Sequence, residues 1–463
     1  MVVMLLETPF RRWHSDNKND LLKVGKPIPI LSALAPDKKL SMSKSIQNDL
    51  ISCISEFLIN QIKNEIKQCK FYSIQIDDTT DISQKTQCSI IIRYVTDKSE
   101  LVERFLGFHN VSEDRTAQGL FNLVNSVLHE FDIENKLVGQ CYDGACVMSG
   151  HLTGLQARVK EVAPNALFTH CLAHRLNLVL QHGCSINAKC HIVFANLTGI
   201  AAYFHNSTSR TNFVDTIVGK RIPQFVQTRW SSRSKILHTI VDEWSGFIDV
   251  FDCISKDPKS SSESICGAIG HFKNLKTFEF AFLALIFTPC GTPALIDDMS
   301  DRAEPYPDVT KFKEYSCTFP VNALNNLKST YPNIFYNINS LKVELEVLYS
   351  DVKYQNLLHI YDMVKIIEQD ALKDILPEAY KLFILILTIP STSVSNERSF
   401  SCLKRIKTCS RNSISQVRFS SLTILSIEKF LINQLKKTES FYDDIINMYS
   451  SQKDRSINLT YKT

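Results

Sequence analysis

The sequence has no apolar run long enough to form a membrane helix. Its two greasiest stretches, FEFAFLALIF (278–287) and LFILILTI (382–389), fall far short of the ~20 residues that a span requires. The opening MVVMLLETPFRRW has no basic region ahead of its short apolar run and no small-residue cleavage site, which excludes a secretory signal of the usual kind. A strong charge of one sign is also missing. The formal net charge is +4 over 463 residues, which is compatible with nucleic acid but does not argue for it. The 14 cysteines follow no regular framework, so a secreted disulfide scaffold is excluded and buried, reduced thiols of a soluble intracellular chain are expected. Residues 1–70 contain no Cys-x-x-Cys followed by paired histidines, only Cys53 and Cys69, so no zinc finger is read there. There is no internal repeat, and no compact Lys/Arg cluster reads as an import signal.

What is present is an ordinary globular balance, 44% hydrophobic and 22% charged, in a chain long enough for two or three domains. Residues 1–40 read as an irregular leader. From Ser43 to Lys67 apolar residues recur at Ile46, Leu50, Ile54, Leu58 and Ile62, which predicts a long amphipathic helix. Strands follow at FYSIQI (71–76), QCSIIIRYV (87–95) and LVERFLGFH (101–109), with gaps short enough for antiparallel neighbours. A helix over 116–131, a strand at 136–143, a helix near 153–162, a strand at 166–170 and a further helix complete an order of three antiparallel strands followed by parallel additions through crossovers. Beyond Ala201 the chain reads as helical to about 375, interrupted by an irregular proline-rich stretch at 284–307, and it is helical again from Leu376.

Acids gather at the strand ends. IQIDDTTD places Asp77 at the end of the first strand, and GQCYDGA places Asp143 at the end of the fourth. In this strand order the two ends lie side by side, and two carboxylates at a few ångströms repel unless a cation separates them. Hard oxygen ligands of this kind suit Mg²⁺ or Mn²⁺. Glu397 in STSVSNERSFSCLKRI precedes Phe400, Leu403 and Ile406 at three-residue steps, so it projects near the apolar face of a helix. Three such acids can hold metal ions for in-line attack on a phosphodiester. The plainer alternatives stay open on spacing alone. Asp at a strand end forms turns and caps helices, and Glu near a helix start favours the macrodipole.

Five segments in order, IQIDDTTD, CYDGACVMSG, HCLAHRLNLVL, QTRWSS and IPSTSVSNERSF, resemble the hAT superfamily of DNA transposases and proteins derived from them, particularly the animal branch related to zinc-finger MYM-type proteins. The resemblance covers roughly residues 41–235 and 370–435. It implies an α/β, RNase H-like mixed sheet interrupted by an all-helical insertion, with a C-terminal helical dimerisation region. The expected divisions are 41–200 for the first part of the core, 201–375 for the insertion, 376–440 for the C-terminal core part with the dimerisation region, and 441–463 for a tail. The resemblance further implies that Asp77, Asp143 and Glu397 are metal-binding carboxylates of a DDE-type nuclease and strand-transfer site using Mg²⁺ or Mn²⁺. Asp78 and Asp81 would then serve the turn and the surroundings of the ligand.

The same resemblance implies that Cys171 and His174 form the family's Cys-x-x-His pair beside the scissile phosphate. Arg229 and Trp230 would sit near the DNA end, where Trp stacks on an unpaired base. A zinc site built on His170, Cys171, His174, Cys184, Cys190 and His191 is the lesser reading, because the spacing matches no established finger. Lys404, Arg405 and Lys407 head a basic run that reads either as a backbone-contact face or as a solvated one. Val417, Leu422, Leu425 and Phe430 mark an apolar stripe expected to be buried. DNA is the implied partner, a homodimer or higher assembly the implied state, and the nucleus the implied location. The functions weighed are an active transposase, a catalytically inactive descendant acting through dimerisation and nucleic-acid association, and another RNase H-like nuclease.

Overall fold

The computed structural model describes residues 44–225, 230–287, 319–355, 360–408, 411–438 and 440–451. The expected leader, the irregular stretch from residue 288 onward and the end of the tail lie outside the described residues. The chain divides into two compact units, one of Met1–Thr169 with Pro305–Thr463 and one of His170–Glu304.

The first unit is built on a 5-stranded sheet of β1 (Tyr72–Thr80), β2 (Thr86–Val95), β3 (Leu101–Asn110), β4 (Leu137–Tyr142) and β5 (Leu167–His170), in the order β3-β2-β1-β4-β5. β2 pairs antiparallel with both β1 and β3, and β4 pairs parallel with β1. The mixed sheet is therefore as the strand lengths and gaps predict. The β1–β2 turn is tight because the Asp81 carboxylate accepts the backbone N–H groups of Ser83 at 2.7 Å and Lys85 at 3.2 Å, a side chain imitating a backbone turn. In β3 an extra residue opposite Ile90/Ile91 makes a bulge, and Gly107 there takes φ 139, a conformation that favours glycine.

Alternation along the strands feeds two cores. Tyr94 and Leu137 belong to one, and their neighbours Val95 and Val138 to the other. The first core takes Leu50, Ile54, Leu58 and Ile62 of the Lys44–Gln68 helix, all essentially inaccessible, together with the C-terminal helices Val394–Ile406, Gln416–Ile427 and Phe441–Ser451. The second takes Tyr331, Leu341, Leu345, Met363 and Phe383. The helices from Val321 to Gln369 thus cover the sheet, whereas the sequence reading places them in the insertion. Their buried stripes meet Phe71 and Val138.

The second unit is all-helical, with an aromatic core that includes Phe194, Phe204, Phe247 and Phe251. It begins at His170, so the helices Leu172–Ile186 and Ala188–His205 belong to it and the division expected at 200 falls inside it. Asn187, Ser207 and Ser261 each cap a helix start with a side-chain oxygen. Among the described residues no helix is long and apolar enough to cross a membrane.

Candidate acidic site at the ends of the parallel strands

The β1–β4 ladder ends at the pair Gln75–Cys141. Two residues further along each chain stands an aspartate, Asp77 within β1 and Asp143 just past the end of β4. Crevices at such strand ends are where α/β sheets bind ligands. β1 itself does not stop at Asp77. It continues against β2 to Thr80, with Asp77 opposite Ser89. Asp77 Oδ1 accepts the N–H of Asp78 at 2.9 Å, and Asp143 Oδ1 accepts the N–H of Ala145 at 3.1 Å. Each acid therefore accepts from the backbone just after it while remaining part-exposed.

Glu397 lies in the first turn of the Val394–Ile406 helix. Phe400, Leu403 and Ile406 bury the underside of that helix, and Asn396, fully buried, fastens its start. The Asn396 amide donates to the carbonyls of Gln75 at 3.2 Å and Ser89 at 2.9 Å. Gln75 lies just before Asp77 on β1, and Ser89 lies opposite Asp77. Ser399 Oγ adds a 2.9 Å contact to Ser89 Oγ. The helix carrying Glu397 is thus pinned to the two strands at the level of Asp77. Among the described residues, no group of three His, Cys, Asp or Glu side chains is gathered for one ion. Mg²⁺ keeps several waters and takes one or two carboxylates together with substrate phosphates, so two aspartates near one end of the sheet have the right donor chemistry for it.

Asn396 carries no signal in the sequence beyond its place in VSNERSF, since a polar residue at a helix start reads as solvated. A second missed group is Glu103. It accepts from Gln75 at 2.7 Å, from Arg93 at 3.1 Å and from the Ser395 hydroxyl. Burial pushes its carboxyl upward, but Arg93 with the Ser395 and Gln75 bonds outweighs burial and holds it below the ordinary range. This network ties β1, β2 and β3 to the residue just before Asn396.

The remaining predicted residues are distributed differently. Asp78 pairs with Arg115 at 3.2 Å. Lys404 and Arg405 are exposed. Lys407 is not part of their face: its side chain is 3% exposed, pairs with Asp81 and lies 5.4 Å over the Phe419 ring, so it is withheld from a DNA backbone. In the helical unit Cys171, at 1% exposure, heads the Leu172–Ile186 helix. Its thiol is out of reach of a nucleic acid. His174 stands in the first turn of that helix, part-buried. Trp230 opens the Trp230–Asp242 helix, and Arg229 lies outside the described residues. Leu425 is buried as expected, but Val417 and Phe430 are 70% and 71% exposed. A stripe of period 3.6 shows that one helix face is apolar without showing what covers it.

Residues 20–154 match the ZMYM1/FAM200 RNase-like domain, and residues 365–430 match the hAT family C-terminal dimerisation region. The chain is hAT-related. The two matches fall on the sheet that carries Asp77 and Asp143 and on the helices that carry Glu397. This hAT-related chain is also similar to the human protein named 52 kDa repressor of the inhibitor of the protein kinase, at 20% identity over 268 residues, covering 54% of this chain and 35% of the relative. The mouse protein of the same name is 21% identical over 216 residues, covering 46% and 28% respectively. The hAT-related chain therefore spans about a third of the length of these relatives.

Proposed function

We propose that this transposase-derived chain binds DNA and that its sheet unit handles phosphodiesters with a divalent cation, Asp77 and Asp143 being the protein ligands. The observation that supports this is the parallel β1–β4 pairing, which runs toward Asp77 on one strand and Asp143 just past the end of the other. Mg²⁺ or Mn²⁺ bound there would supply activation of water and stabilisation of a leaving oxygen. Asn396 holds the start of the Val394–Ile406 helix so that Glu397 faces the same substrate. Lys404 and Arg405 neutralise backbone phosphates. His174 donates to a phosphate oxygen, and Arg229 and Trp230 engage the DNA end. Residues 365–430 join two copies, and the protein works in the nucleus.

The test is Mn²⁺ calorimetry in the presence of a short duplex, with wild type set against the Asp77→Asn, Asp143→Asn double variant, both checked for folding by circular dichroism. Binding that vanishes in the variant supports the reading, whereas equal or absent binding sinks it. A second reading, a dimerising DNA-associated descendant without cleavage, is favoured by the lack of a gathered three-acid group among the described residues. Mn²⁺-dependent nicking of the bound duplex separates the two, and nicking of RNA alone would point instead to another RNase H-like nuclease.

A further inference from the structure

Between Asp143 and the Leu155–Val162 helix the chain makes a turn that the acidic site does not use. Gly150 and Gly154 form its neck. Gly154 N–H donates to Gly150 O at 3.2 Å, and a Cβ on Gly154 would stand 2.5 Å from Gly150 N, so only glycine lets the two backbones close. Further bonds pin the turn from both sides. Gly150 N–H donates to Cys146 O at 3.0 Å, Ser149 Oγ to Gly144 O at 3.0 Å, Arg158 Nε to Thr153 O at 3.2 Å, and Gln156 Nε2 to Ser149 O. His151, Leu152 and Thr153 stand out from this neck, with Leu152 89% exposed. A single exposed leucine on a slack loop is ordinary. Here, however, an apolar side chain is held outward by a fixed scaffold.

A donor-rich strip links the turn to the acids. Arg158, besides its bond to Thr153, donates to Gln118. Gln118 lies in the first turn of the Ala117–Leu128 helix that follows Arg115, and Arg115 pairs with Asp78 beside Asp77. Two guanidinium groups therefore lie along the bonded path from Asp78 to the turn, and Arg115 is 57% exposed. Guanidinium groups match phosphate oxygens in pairs. Protein partners generally need on the order of 1,000 Å² of buried area, which one leucine on a narrow turn does not offer. A single apolar side chain is enough to part a base step.

We propose that Leu152 is a DNA wedge: Arg115 and Arg158 hold backbone phosphates while the Leu152 side chain enters a base step and unstacks it next to the phosphodiester facing Asp77 and Asp143. This rests on the DNA reading of the acidic site. The test uses the full chain and a nicked duplex with 2-aminopurine beside the nick. Wild type should raise the fluorescence several-fold on binding, Leu152→Met should preserve the rise, and Leu152→Ser should abolish it without altering the circular dichroism. Arg158→Ala should weaken binding of both nicked and intact duplex. An equal fluorescence rise in Leu152→Ser, with Mn²⁺ binding at Asp77 intact, overturns the wedge alone. Failure of wild type to bind DNA overturns the wedge and the DNA reading together. Self-association that depends on Leu152, without any fluorescence change, also overturns the wedge and assigns the turn to a protein contact.

Discussion

The Lys407 ammonium and the Asp81 carboxylate pair with each other out of water, their side chains 3% and 0% exposed. Asp81 also accepts two backbone N–H groups of its own turn and the amide of Gln87. Burial alone would push the Asp81 carboxyl up, but the Lys407 bond and these donors outweigh it and hold it below the usual range. Lys407→Ala should therefore cost about 3–5 kcal/mol in urea unfolding, because it strands a buried charge, and a Lys407→Met, Asp81→Asn double variant should recover most of that. A folded-state pKa that is depressed means the contribution is complete above the ordinary aspartate range and is lost as pH falls through the lowered value. The Lys407 variant should lack this acid-side slope. A Lys407→Ala protein as stable as wild type would refute the buried pair.

Lys404 and Arg405 give the opposite expectation. Both are exposed, so alanine at both positions should leave stability within about 0.5 kcal/mol. If each meets a phosphate, the slope of log affinity against log salt should fall by about 0.9 per contact. A fluorescence-anisotropy salt series measures it. An unchanged slope would place the DNA track elsewhere.

If the proposed site holds Asp77 and Asp143 together, each destabilises the other when no cation is present. Asp77→Asn keeps the oxygen that accepts the Asp78 N–H while removing the like charge. It should raise stability in chelator by roughly 0.5–1 kcal/mol and abolish the gain in Tm on adding Mn²⁺. A variant that is less stable in chelator would mean the two charges do not feel each other.

His109, on β3 opposite Cys88, is largely enclosed, and its Nε2 has no hydrogen-bond partner. Burial pulls the imidazole from its ordinary value down to about 4. The unfolded chain protonates near 6.5, so the contribution of this histidine is complete above that value and is lost as pH falls from about 6.5 to 4, a change of a few kcal/mol. Stability measured across that window should slope in wild type and flatten in His109→Leu.

Val417 and Phe430 remain exposed in a region that matches a dimerisation family. Serine at both positions should leave the unfolding midpoint of the isolated chain unchanged and shift sedimentation equilibrium from dimer toward monomer. An unaltered dimer would assign association to another face.

Much of the sheet was legible because strand pairing follows from lengths and gaps. The short links 81–85 and 96–100 permit only antiparallel neighbours, and the helix between β3 and β4 permits a parallel addition beside β1. That Asp77 lies on, and Asp143 just after, neighbouring parallel strands followed from that order. The burial of Lys407 did not, since its partner lies 326 residues away and a lysine in a basic run reads as solvated. The helices from Val321 to Gln369 show which face is apolar, but not whether that face meets a sheet or another helix. Asn396 was missed for a related reason. Its amide answers two strand carbonyls that only the folded sheet brings together.

The Asn396–Gln75 bond spans 321 residues of chain. β1, β2 and β3 can pair soon after they leave the ribosome, but the carbonyls of Gln75 and Ser89 wait for a helix encoded near the far end of the message. A product ending before residue 394 would lack the Val394–Ile406 helix and the Asn396 clamp on this part of the sheet. A prematurely terminated chain therefore leaves the Gln75 and Ser89 carbonyls without the amide that answers them in the full fold.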